Sequence, residues 1–190
     1  PVLMKTAPLT YALWLSCLIG SLAFAEDPTV GRELYKVAGG YGCGVCHGPV
    51  ANGGGQAGGP IRGATREQFD KALAEQPTMK LLVNALDEQN LSDLSSYLML
   101  LADMPLVELT FDDVSWTITQ APINQDQIVQ FVLFNDGFSD LQVDLTGFGL
   151  DEVTIAPMDT AIVEWVAVAG SYFLPDDSLL VVSDQAVCVH

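Results

Sequence analysis

Basic residues are scarce in this sequence: seven Lys and Arg stand against 24 Asp and Glu, a formal net charge of −17. A phosphate-binding groove needs cations to release counterions, so nucleic acid is excluded as a partner. A basic partner, or simply a solubilised surface, is expected instead. The scarcity is uneven, since residues 26–104 hold six Lys/Arg and ten Asp/Glu while residues 105–190 hold none and fourteen. The chain changes character near Pro105. Its 190 residues, 49% of them apolar, fit two small folded domains better than one.

Met4-Lys5 precedes an apolar run from Ala7 to Phe24 that ends in Ala23-Phe24-Ala25 and then Glu26-Asp27. This is the layout of a secretory signal peptide over residues 1–25, with translation starting at Met4 and cleavage after Ala25. The expected location is the periplasm or another extracytoplasmic space. If retained, the run is nearly long enough for a membrane anchor, the one way a membrane enters the reading. A lipoprotein signal at Leu15-Ser16-Cys17 fits less well, because the apolar stretch continues past the cysteine. Cleavage removes Cys17 and leaves Cys43, Cys46 and an unpaired Cys188. That odd cysteine reads equally as the sign of a truncated C-terminus or as a free or buried thiol.

Cys43-Gly44-Val45-Cys46-His47 carries the chemistry. Two thiols on one helical turn can add to the two vinyl groups of a haem, and the next imidazole then lies under the iron as its proximal ligand. A zinc site would need two further ligands, and after cleavage only Cys188 and His190 remain. A thioredoxin-type pair would need a preceding strand and a βαβ setting, which Gly39-Gly40 and the glycine-rich stretch from Gly48 to Gly59 do not provide. One covalent haem c on Cys43, Cys46 and His47 is expected. Helices are predicted over Pro28 to Val37, with Asp27 as N-cap, over Thr65 to Ala74 and over Leu91 to Ala102. Phe69, Ala72 and Leu73 recur at helical spacing, as do Leu91, Leu94, Leu98 and Leu101. A domain of under about 80 residues buries too little apolar surface without a staple, so part of this core is expected to be the porphyrin.

Gly31, Tyr35, the CxxCH run through Gly48, Gly59-Pro60-Ile61-Arg62-Gly63, Met79, and Leu91-Ser92-Asp93-Leu94 into Tyr97-Leu98 resemble a class I cytochrome c over residues 26–104. The resemblance implies a small all-α domain whose first helix crosses its last at a glycine contact, here Gly31 and Tyr35 against Tyr97 and Leu98. It implies that the Pro60 carbonyl accepts the His47 N–H, fixing the ring and making its other nitrogen a better donor. It further implies Met79, after Pro77-Thr78 in a loop between helices, as sixth ligand, at a spacing from His47 that is short for the family. Met99, Met104 and Met158 are the other candidates, and a Met79 that merely fills core would leave the iron open. Thioether ligation favours ferrous iron, and six-coordinate iron leaves no substrate site, so a carrier rather than a catalyst is expected.

After Pro105 come short runs rich in Val, Ile, Phe, Trp and Thr: Val114 to Thr119, Ile128 to Asn135, Leu141 to Leu145, Ala161 to Val168, Tyr172 to Leu174 and Leu179 to Val182. Turn signals such as Asn135-Asp136-Gly137 and Pro175-Asp176-Asp177 separate them. About seven strands in roughly 80 residues predict an antiparallel β-sandwich. Val153 to Thr160, Val163-Glu164-Trp165 and Gly170-Ser171-Tyr172-Phe173 are weakly similar to the closing strands of cupredoxin-like domains, with an immunoglobulin-like topology as the alternative. A blue-copper centre needs two histidines and a cysteine, and this half has only Cys188 and His190, so no copper is expected. Asp136, Asp140 and Asp144 lack calcium-loop spacing and read as a solvated acidic face.

The expected fold is therefore α + β in two domains, a cytochrome c haem domain over 26–104 and an acidic β-sandwich over 105–190. The expected function is single-electron transfer outside the cytoplasm, with the acidic half docking a redox partner that has a basic surface. The alternative is a haem subunit of a periplasmic dehydrogenase complex, flavocytochrome-like, whose sandwich holds the catalytic partner. A haem enzyme or gas sensor with an open iron site is a third reading.

Overall fold

Asp27 opens the first helix. Its carboxylate accepts the N–H of Thr29 at 2.8 Å and of Val30 at 3.4 Å, and Pro28 fills the first turn, where its missing N–H is not needed. The computed structural model describes residues 25–184. Nearly all of the expected leader, with Cys17, and the C-terminal Cys188 and His190 lie outside the described residues. Among the described residues four α-helices come in order: α1 (Pro28–Val37), α2 (Gly44–His47), α3 (Arg66–Glu75) and α4 (Glu88–Ala102). Thr65 and Gln68 form a reciprocal capping box at α3. Asp87 caps α4 through the Asn90 N–H at 2.8 Å, so that helix begins at Glu88, ahead of the apolar stripe from Leu91. Among the described residues no helix is long and apolar enough to cross a membrane.

Helix α1 packs across α4 as expected, and Gly31 is what lets the backbones meet. A Cβ there would overlap the Asp93 carbonyl and lie 2.8 Å from the Tyr97 Cβ. The Tyr35 and Tyr97 rings then pack at 5.7 Å, beside the fully buried Leu94 and Leu98. Asp93 is buried at this crossing but satisfied, its Oδ1 accepting the Asp27 N–H at 2.9 Å and the Gln89 Nε2–H at 2.8 Å.

Beyond Pro105 the described chain is built of strands: β1 (Leu106–Phe111), β2 (Trp116–Gln120), β3 (Ile123–Asn124), β4 (Ile128–Asn135), β5 (Leu141–Val143), β6 (Val153–Ile155), β7 (Thr160–Val166), β8 (Gly170–Phe173) and β9 (Leu179–Ser183). They form a four-stranded sheet in the order β2-β1-β4-β7, a three-stranded sheet β3-β9-β8 and a pair β5-β6. Their inward residues share one core in which Phe131, Phe148, Trp165 and Tyr172 pack ring on ring. A separate cluster, with Tyr35, Phe69, Leu94 and Leu98, forms the helical core.

The fold is thus mixed α and β, with helices first and strands after, as the sequence implies. The pairing, however, is not wholly antiparallel. Strand β1 runs parallel to β4, with Leu109 opposite Leu133, and β3 runs parallel to β9. Both β1 and β3 were outside the sequence expectation. A parallel pair needs a return path, and the hairpin to β2 followed by β3 supplies one between β1 and β4.

The helical and stranded parts meet through polar side chains. Arg62 donates to the Val50 carbonyl at 3.0 Å, to the Met104 carbonyl at 2.7 Å, to the Leu101 carbonyl, and to Gln130 Oε1 on β4 at 2.9 Å. Asn52 donates to Glu108 on β1 at 2.5 Å, and Arg32 approaches Glu164 on β7 at 3.5 Å.

Candidate functional site

The CxxCH segment is a single helical turn held from every side. The Cys43 N–H donates to the Tyr35 carbonyl at 2.7 Å, and the Tyr35 hydroxyl donates to the Gly48 carbonyl at 2.7 Å, so α1 clasps both ends of the turn. Each of its five carbonyls accepts a hydrogen bond: Cys43 from the His47 N–H, Gly44 from Gly48, Val45 from Gln56, Cys46 from Gly58 and His47 from Gly53. The last three donors belong to the glycine-rich loop, which explains the composition. A Cβ on Gly55 would overlap the Cys46 carbonyl, and one on Gly58 would overlap His47 Nδ1.

Because Gly58 lies against the imidazole, the next carbonyl, that of Gly59, meets His47 Nδ1 at 2.8 Å. The expected acceptor was the Pro60 carbonyl. The bond is displaced by one residue because the bare backbone of Gly58 and Gly59 lies beside the ring, while Pro60 forms the cavity wall next to it. With Nδ1 as the donor, Nε2 is left as the nitrogen able to bind a metal.

His47 lines a cavity of about 460 Å³ together with Pro60, Ile61, Phe69, Ala72 and Met79. Its walls are largely apolar, with Gln68, Lys71, Glu75 and Gln76 also among its lining residues. Met79 begins a short 3-10 turn, Met79–Leu82, and packs against the helical core. Of the four methionines considered from the sequence, Met79 alone lines this cavity: Met99 is exposed on α4, Met158 is exposed in the stranded part, and Met104 sits at the edge of the helical core. The structure therefore brings His47, Pro60 and Met79 to one cavity. Cys43 and Cys46 lie on the turn that carries His47, the first buried and the second half-buried.

Burial pushes the Cys43 thiol up to about 11, with the nearby Cys46 adding to the rise. An attacking thiol in a dithiol exchange site needs the opposite shift, and the element before Cys43 is a helix and a 3-10 turn rather than a strand. Among the described residues no three His, Cys, Asp or Glu side chains come together as a metal-binding group. Asp144 is taken up locally, its carboxylate held below its ordinary value by the Thr146 hydroxyl and N–H.

Sequence reasoning missed the positioning glycines Gly58 and Gly59 and the bridging role of Arg62. The signal for the glycines was the density of Gly itself after the CxxCH run. Arg62 gave no local signal, because its partner on β4 is 68 residues away. No protein-family model matches this chain, and no curated protein matches it.

Proposed function

We propose that this chain is an exported electron-transfer protein carrying one haem c, which would be joined through Cys43 and Cys46 and have its iron held by His47 and Met79. The observation that carries the reading is the placement of His47 and Met79 on one apolar cavity beside a CxxCH turn. The donor set fits the group: two sulfurs on one turn, an imidazole with Nδ1 engaged by the Gly59 carbonyl and a thioether lining the same largely apolar cavity. Gly58 makes the cradle, since any Cβ there would displace the imidazole.

When bound, the haem iron supplies a one-electron couple. The chain's own residues do the rest. Gly59 holds the His47 tautomer, which keeps Nε2 basic. Ile61, Phe69 and Ala72 give the cavity apolar surface, and Arg62 and Lys71 set two positive charges on its wall against the one carboxylate of Glu75. A thioether ligand and a nearby cation both favour the reduced, less positive state, which suits a carrier working toward a high-potential acceptor. In this reading residues 26–104 are an all-α haem domain, residues 105–190 an acidic β-sandwich that docks a basic partner, and the leader is cleaved after Ala25 for export to the periplasm.

Absorption spectra of the exported protein in both oxidation states test this. A low-spin spectrum that shows a sulfur ligand on ferric iron, with no carbon monoxide binding to the reduced form at neutral pH, is the expected result. Ready carbon monoxide binding would remove Met79 as ligand and favour an open iron site.

A further inference from the structure

Three exposed apolar side chains stand together at one end of the stranded part. Val114 in the β1–β2 turn, Phe138 in the β4–β5 turn and Met158 in the β6–β7 turn are 87%, 91% and 64% exposed. Scattered exposed hydrophobics are ordinary, but these three sit on loops that are bonded to one another. Asp113 accepts the Phe138 N–H at 2.8 Å, and the Met158 N–H donates to the Asn135 carbonyl at 2.8 Å. Asn135 itself is fully buried beneath the loops. Its Nδ2 donates to the Ser139 and Ile155 carbonyls, and its Oδ1 accepts the Gly137 N–H. Asp113 and Met158 also take positive φ, at 68° and 60°, a conformation a methionine adopts at a cost. The apolar tips are thus presented by a braced framework.

We propose that these three tips form a docking knob for a protein whose surface offers an apolar recess rimmed by Lys and Arg. The proposal rests on, and deepens, the reading of the acidic half as a docking module. Charge decides the occupant. Asp112, Asp113, Asp136, Asp140 and Asp159 surround the knob, and no Lys or Arg occurs in residues 105–190. An anionic bilayer would be repelled by that rim, as would a second copy of the knob. A partner with a basic rim gains charge pairing at the edge and apolar burial at the centre, with little ordering to be done in the knob.

The position of the knob adds a role. Gln130 near the start of β4 touches the cavity-wall Arg62, whereas Asn135 ends that strand. At strand rise the two are about 17 Å apart along β4. A partner seated on Phe138 would hold the chain by the end remote from the His47 cavity and leave that cavity's face free for electron exchange.

The test is amide chemical-shift mapping of the full chain with two synthetic peptides of equal charge, an oligolysine and a lysine peptide with a central leucine cluster. The leucine-centred peptide should shift residues 112–115, 136–140 and 156–159 selectively and bind about tenfold more weakly to Phe138→Ser, with Val114→Ser as a second variant. Oligolysine should shift the acidic surface broadly and ignore both substitutions. If both peptides bind the acidic surface alike, or if Phe138→Ser binds as tightly as the parent, the knob is overturned while the docking module stands. Binding of neither peptide to the stranded part overturns the module and the knob together. Phe138-dependent binding to phosphatidylcholine–phosphatidylglycerol vesicles would also overturn the proposal.

Discussion

Arg62 Nη1 and Gln130 Oε1 meet at 2.9 Å, joining the wall of the His47 cavity to β4, one of the two inner strands of the four-stranded sheet. The guanidinium is half-buried and forms no ion pair among the described residues. Backbone carbonyls of Val50, Leu101 and Met104 take the other Nη–H groups. Burial lowers its pKa from the ordinary value, yet a guanidinium stays charged. The cation is therefore held by backbone and amide dipoles in direct contact, with the Glu108 carboxylate adding attraction from beyond ion-pair distance, and it couples the two parts of the chain.

Arg62→Met leaves those carbonyls and Gln130 without donors and is expected to cost about 3 kcal/mol in urea unfolding. Arg62→Lys should recover less than half, because one ammonium cannot span the fork of acceptors. Full recovery by lysine would show that charge alone matters at this position.

Gly31→Ala should destabilise the protein by about 2 kcal/mol, since the added methyl meets backbone rather than a flexible side-chain end. Gly40→Ala is the comparison: a Cβ there meets nothing within 4 Å, and any loss reflects its positive φ alone. Thermal melts that rank Gly40→Ala as the more damaging would contradict the α1–α4 crossing described above.

Tyr35 gives a pH dependence. Burial first, then the neighbouring Cys43 and Tyr97, hold its phenol above the ordinary value. A folded-state pKa raised above the unfolded one gives stability that is complete below about pH 10 and declines as pH rises past it. Tyr35→Phe is expected to lose about 1 kcal/mol at pH 7 with the Gly48 hydrogen bond, and to show a shallower decline than the parent above pH 10. Denaturant titrations from pH 7 to pH 11 read both effects, and parallel curves would remove Tyr35 as the cause.

At the candidate site, Gly58→Val should push the His47 ring off the Gly59 carbonyl and reduce the yield of coloured protein after export. Met79→Ala should leave attachment intact and open the iron to carbon monoxide. A Met79→Ala protein with the parent's ferric and ferrous spectra would assign the thioether to the core.

Local signals carried most of the elements. Asp27, Thr65 and Asp87 cap helices through side chains close to them in sequence, and the run Ile128 to Asn135 is a strand with those limits. Strand β1 alternates buried Val107 and Leu109 with half-buried Glu108 and Thr110, a readable pattern hidden by its direct junction with Pro105. Strand direction was not readable, because β1 against β4 depends on the path through β2 and β3 and not on either strand's residues. At the site, the CxxCH turn was legible as a motif and Met79 by its place between helices. The shift of the imidazole's acceptor from Pro60 to Gly59 was not, since it depends on how closely Gly58 lies against the ring.

The central claim is covalent attachment, and the most direct measurement is the intact mass of the exported polypeptide before and after acid–acetone extraction. The account predicts a mass greater than that of the cleaved chain by one haem, with the colour retained in the protein pellet. It also predicts loss of that added mass in a Cys43→Ala, Cys46→Ala double variant. A mass equal to the bare polypeptide, or colour that passes wholly into the solvent, would contradict it.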